Sequence, residues 1–125
     1  MTKIIIVGSG GFLGSVARYL LSGWVYDAMP FAGFPLGTLV VNVLGCLVIG
    51  FLGGLAEARN VLGPDVRLFL FIGFLGGFTT FSSFGHETMA LFRDAENVKA
   101  FANIIFHITI CLSAVWIGNA ISRAI

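Results

Sequence analysis

The chain has 125 residues, of which 58% are hydrophobic and only 10% charged. A soluble domain of this size is about a quarter charged, so this one lacks the charge to cover a water-facing surface, and lipid must face part of it. Seven basic against six acidic residues give a net charge of +1, which leaves no basic footprint for nucleic acid.

The first apolar segment runs from about Ile4 to Val25. It starts directly after Met1-Thr2-Lys3 and is longer than a signal-peptide core, so it reads as a span rather than a cleavable leader. Gly10 and Gly14 stand four apart, a spacing that lets membrane helices approach closely. Arg18 lies about fourteen residues in, roughly 21 Å at 1.5 Å per residue. Two readings stay open for it. It is either a structural arginine bonded to carbonyls or a carboxylate, or a positive charge lining an anion vestibule.

The second segment runs from about Pro35 to Ala56, with Gly50 and Gly54 at the same spacing. It carries Asn42, whose amide offers two donors and an acceptor. Interhelical glue is the simpler reading, and donation to a dehydrated anion is the other.

The third segment, about Val66 to Phe92, is the most informative. Gly73 and Gly77 repeat the close-packing spacing. Two adjacent glycines and the Thr79-Thr80 and Ser82-Ser83 pairs predict a helix break near Gly76 to Thr80. Broken helices are tolerated in a membrane where they are buried in protein or line a cavity, and their freed carbonyls can coordinate a cation. Beyond the break, Phe81 and Phe84 are three apart and share a helix face. Their ring edges are positive and can meet an anion without a fixed charge. An isolated pair would more simply pack in the core or against lipid. The Thr79-Thr80 and Ser82-Ser83 hydroxyls beside them weaken that simpler reading. Glu87 is the one carboxylate well inside this segment.

The fourth segment, about Ala100 to Ile121, places Asn103, His107 and Cys111 at steps of four, on one face. That stripe suits a partly hydrated ion. Thr109 and Ser113 form a second line whose hydroxyls are expected to bond the preceding turn. Cys46 and Cys111 both lie in apolar runs. They read as buried free thiols, neither a disulfide framework nor a metal site.

Polar residues mark the connections: Asp27-Ala28-Met29-Pro30, Glu57-Ala58-Arg59-Asn60 and Arg93-Asp94-Ala95-Glu96-Asn97. Each apolar segment meets the roughly 20 residues that a spanning helix needs. Only helices satisfy their own backbone in lipid over such runs. The expected fold is therefore an all-α membrane protein of four spans, in a single domain covering 1–125. Lys3, Arg59, Arg67 and Arg123 fall on one side of the bilayer, and Arg93 and Lys99 on the other. Four against two is a weak positive-inside bias. Opposite insertions, and hence an antiparallel pair, are compatible with it.

Three stretches carry a resemblance: Gly11-Phe12-Leu13-Gly14-Ser15-Val16-Ala17-Arg18-Tyr19, Gly37-Thr38-Leu39-Val40-Val41-Asn42-Val43-Leu44-Gly45, and Gly76-Gly77-Phe78-Thr79-Thr80-Phe81-Ser82-Ser83-Phe84. In order and over the whole length they resemble the Fluc (CrcB) fluoride channels. The resemblance implies a dual-topology antiparallel homodimer with two pores, in the bacterial inner membrane. It also implies a structural Na⁺ at the dimer interface, held by the backbone carbonyls of Gly76 and Thr79 from both subunits. Phe81 and Phe84 would contact fluoride, Asn42 would donate in the pore, Arg18 would line the vestibule, and Glu87 would stand near the pore line. The family's fourth-helix track of Tyr, Ser, Ser and Thr reads here as Asn103, His107, Cys111 and Val115, which is a departure.

On this reading the function is passive export of cytoplasmic fluoride. A small proton-coupled exporter of cations or drugs is the main rival and would need Glu87 as its embedded acid. A subunit that only packs other membrane proteins is a third possibility. A catalytic set of nucleophile, base and orienting group is not found, so an enzyme is not expected.

Overall fold

The computed structural model describes residues 1–30, 33–59 and 61–125. Asn60, counted with the second polar connection, lies outside the described residues. Among the described residues four spans are long and apolar enough to cross a membrane, and the chain is a multi-pass membrane protein. Helix α1 covers Thr2–Ala28 and α2 covers Leu36–Arg59. The third span, Pro64–Arg93, is composite. It starts as α3 (Pro64–Arg67), continues as a π-helix (Leu68–Leu75) and then a short α4 (Gly76–Phe78), and resumes as α5 (Phe81–Arg93). Helix α6 covers Asn97–Ala124. The helices overrun most ends of the apolar segments by less than a turn, because polar ends such as Arg59 and Arg123 extend the last turn beyond the hydrocarbon.

The predicted break is present, but the glycines do not make it. Gly76 and Gly77 remain helical. The chain opens at Thr79 (φ −80°, ψ 156°) and Thr80 (φ −150°, ψ 110°). Thr80 then caps α5, its Oγ1 accepting the Ser83 N–H at 3.2 Å, which is the usual way to satisfy an orphan first-turn donor. Gly77 serves packing instead: a Cβ there would stand 2.5 Å from the Gly11 carbonyl oxygen. The eight-residue π-helix upstream was not foreseen. Such winding is rare and concentrates near functional sites.

Helix α1 packs along the π-helix and α4, α2 packs along α6, and α5 rests on α6. All six glycines at the four-residue spacing sit at these seams. Gly10 and Gly73 face each other, Gly14 abuts the Phe74 carbonyl, Gly50 abuts the Val115 carbonyl, and Gly54 meets Ser122. Without a hydrophobic force between helices in lipid, this backbone proximity supplies the packing attraction. Between α5 and α6, the Glu96 N–H bonds the Leu91 carbonyl and the Ala95 N–H bonds the Phe92 carbonyl. Ala95 takes φ 59° there, at the point where helix ends ordinarily use glycine.

Candidate ion path

The break opens onto a groove of about 550 Å³. The third span contributes Gly76, Thr79, Thr80, Phe81 and Phe84 to its wall, α2 contributes Asn42 and Cys46, and α6 contributes His107 and Cys111.

Asn42 holds the break open. Its Nδ2 donates to the Thr80 carbonyl at 3.0 Å, and its Oδ1 accepts the Thr80 N–H at 2.8 Å. The glue reading is therefore realised, as a clamp on the broken strand. One of the two amide hydrogens remains uncommitted by these bonds. The clamp also frees carbonyls. In an unbroken helix Gly76 would accept from the Thr80 N–H and Thr79 from the Ser83 N–H. Those two amides bond Asn42 and the Thr80 hydroxyl instead. Two carbonyl oxygens thus lose their helical partners at the groove, and hard oxygen donors of this kind fit an alkali cation.

Three rings line up beyond the clamp. Phe81 and Phe84 stand 5.3 Å apart between centroids at 50°, and Phe84 stands 4.4 Å from His107 at 41°. Phe81 is 83% exposed. The His107 Nδ1–H donates to the Asn103 carbonyl at 3.0 Å, and its buried Nε2 has no hydrogen-bond partner. Asn103 does not line the groove. It is fully buried (0% exposed), and its Nδ2 donates to the Thr88 hydroxyl at 2.9 Å, which donates to the Phe84 carbonyl at 2.7 Å. That relay supports the backbone carrying Phe84, while Asn103 Oδ1 is left without a partner.

A second crevice of about 250 Å³ lies against the other side of the break, lined by Arg18, Thr38, Thr80, Ser83 and Glu87 among others. Thr38 donates to Glu87 Oε1 at 2.6 Å, and Glu87 Oε2 is buried without a partner. Arg18 shares this crevice without forming an ion pair, the one ion pair among the described residues being Lys99–Glu96 at 3.1 Å. Bonding of Arg18 to a carboxylate is thus not realised among the described residues. Ser82 is exposed, and its hydroxyl lies 3.3 Å from the Thr80 hydroxyl. The Thr80 hydroxyl in turn donates to Ser83 Oγ at 3.0 Å.

The site residues therefore divide. Asn42, Gly76, Thr79, Phe81, Phe84 and His107 share the groove. Arg18, Ser83 and Glu87 share the crevice. Asn103 stands behind both. Thr109 and Ser113 bond back to the Ile105 and Thr109 carbonyls at 2.7 Å each, as expected. The cysteines correct the sequence reading. They are half-buried rather than buried, and they line one groove from the two sides of the α2–α6 seam. That arrangement joins positions sixty-five apart and leaves no signal in either apolar run.

The profile of the family described as "CrcB-like protein, Camphor Resistance (CrcB)" matches residues 5–119. A protein of Geotalea daltonii named fluoride-specific ion channel FluC is 42% identical over 125 residues, covering 100% of both chains. The protein of that name from Methylobacillus flagellatus is 46% identical over 118 residues, 94% of this chain and 92% of the relative. The one from Geobacter sulfurreducens is 44% identical over 123 residues, 98% of each. With a family match across nearly its whole length and relatives this similar, the chain belongs to the CrcB-like family.

Proposed function

We propose that this protein is a fluoride-selective channel that lets the anion leave the cell down its electrochemical gradient. The observation that carries the reading is the clamped break. It brings threonine hydroxyls, an amide side chain and two aromatic rings to one groove without a fixed charge among them. Fluoride is small and strongly hydrated. A path for it must replace water with donors that are individually weak enough to release the ion. The ring edges of Phe81 and Phe84 and the free amide hydrogen of Asn42 are such groups, with Ser82 and Ser83 next to them. Arg18 in the crevice supplies positive potential at the approach. Glu87 is engaged by Thr38, and His107 replaces a hydroxyl of the family's track. The membrane potential is worth about 2.3 kcal/mol per charge per 100 mV and drives an anion outward. Hydrofluoric acid enters neutral and dissociates inside, so such a channel protects the cell.

The groove is open along one side, and the path includes backbone freed in mid-membrane. Bare carbonyls do not face acyl chains. A second copy covering this face, with Phe81 of each subunit directed into the shared interior, resolves the cost. We infer an antiparallel homodimer. Adding a basic tag to one terminus fixes one orientation and is expected to abolish flux, and full activity from a single-orientation population would refute opposite insertion. The freed carbonyls of Gly76 and Thr79, from both copies, would hold a structural Na⁺ at the interface. Exchange of Na⁺ for a large organic cation should lower flux reversibly, and indifference to that exchange would remove Na⁺ from the site.

The functional reading itself is tested with purified protein in vesicles and a fluoride electrode. Voltage-driven fluoride efflux without a proton gradient supports the channel. Efflux that requires a proton gradient, or proton movement driven by organic cations, supports an exporter instead.

A further inference from the structure

The groove wall carries two thiols. Cys46 on α2 and Cys111 on α6 are free and line the groove. They stand one turn before Gly50 and Val115, which abut across the α2–α6 seam, so the two cysteines lie level on the groove wall. The seam that brings them together is tight: a Cβ on Gly50 would meet the Val115 carbonyl and one on Gly118 the Leu47 carbonyl. Packing therefore sets the relative height of the two cysteines across the seam. One turn before Cys111, on the same helix face, His107 is only 7% exposed, and its Nε2 is without a partner. The same groove thus presents three soft or borderline donors. Among the described residues no three such groups cluster around a metal position, which leaves the two thiols as the candidate ligands.

We propose that Cys46 and Cys111 chelate a soft, thiophilic metal ion of the Hg²⁺, Ag⁺ or Cu⁺ class, and that an ion held there obstructs the groove. Thiolate sulfur selects such ions over hard cations, which keep to oxygen ligands. On binding, two sulfur–metal bonds form, each thiol releases one proton to water, and no electron is transferred. The second bond is intramolecular. Its effective concentration makes the pair about a hundredfold more retentive than one thiol alone. The obstruction rests on the fluoride reading, but the binding does not.

The test uses the full chain with Hg²⁺ as the probe. The expected result is one Hg²⁺ per subunit, with both thiols lost to maleimide labelling together. A monothiol competitor should strip it about a hundredfold less readily than from Cys46→Ser or Cys111→Ser. In vesicles, Hg²⁺ should suppress fluoride efflux of the unaltered protein but should not alter whatever rate the variant carrying both Cys46→Ser and Cys111→Ser shows without Hg²⁺. Two Hg²⁺ per subunit, or equal stripping from the unaltered chain and the single variants, would overturn the chelate. Chelation with efflux unaffected would overturn the obstruction. A protein that passes no fluoride at all would still be decided by stoichiometry and stripping.

Discussion

Phe81→Ile and Phe84→Ile are each expected to lower fluoride efflux by about a hundredfold, which is ~2.7 kcal/mol of lost stabilisation of the passing ion. Isoleucine keeps apolar bulk but has no positive ring edge. The two rings stand 5.3 Å apart, and Phe84 is also 4.4 Å from His107, so they form one continuous wall rather than two separate contacts. The backbone beneath Phe84 is held by the Asn103–Thr88 relay, which neither substitution touches. Folding and assembly should therefore persist, as checked by size-exclusion chromatography in detergent. Undiminished efflux from an assembled variant would remove the rings from the path.

Asn42→Asp is expected to be at least as damaging, for two separable reasons. A carboxylate can still accept the Thr80 N–H, but it cannot donate to the Thr80 carbonyl, which lies 3.0 Å from Nδ2. An acceptor then opposes an acceptor, and a buried bond is lost at a cost of about 1–3 kcal/mol. A negative charge also enters a groove proposed to carry an anion. Asn42→Ala removes both bonds without adding charge. Flux should fall in both variants and fall further in the Asp variant. Thermal unfolding in detergent, compared between the two, separates the clamp from the repulsion. Normal throughput in the Asp variant would place Asn42 outside the pore.

Much of the fold was legible because lipid makes strong demands on sequence. Four spans followed from apolar length, and the seams followed from glycine spacing at Gly10, Gly50 and Gly73. The break was legible in region but not in cause. The glycines suggested it, yet Thr79 and Thr80 make it, because the Thr80 hydroxyl caps the next helix and Asn42 takes the Thr80 amide. That clamp joins residues thirty-eight apart, and periodicity within one helix carries no trace of such a pairing. The same limit hid the bond from Thr38 to Glu87 and the shared groove wall of Cys46 and Cys111. Spacing puts the fourth-helix stripe on one face, but a face does not say what lies opposite it. His107 and Cys111 reach the groove, whereas Asn103 is covered by α5 through Thr88.

The most direct measurement is the ratio of fluoride to chloride efflux from vesicles holding the purified protein, at the same driving voltage. Rings, hydroxyls and one amide around a narrow groove predict rapid fluoride loss with chloride retained. Equal passage of both halides, or passage of neither, would contradict a path shaped for the smaller ion.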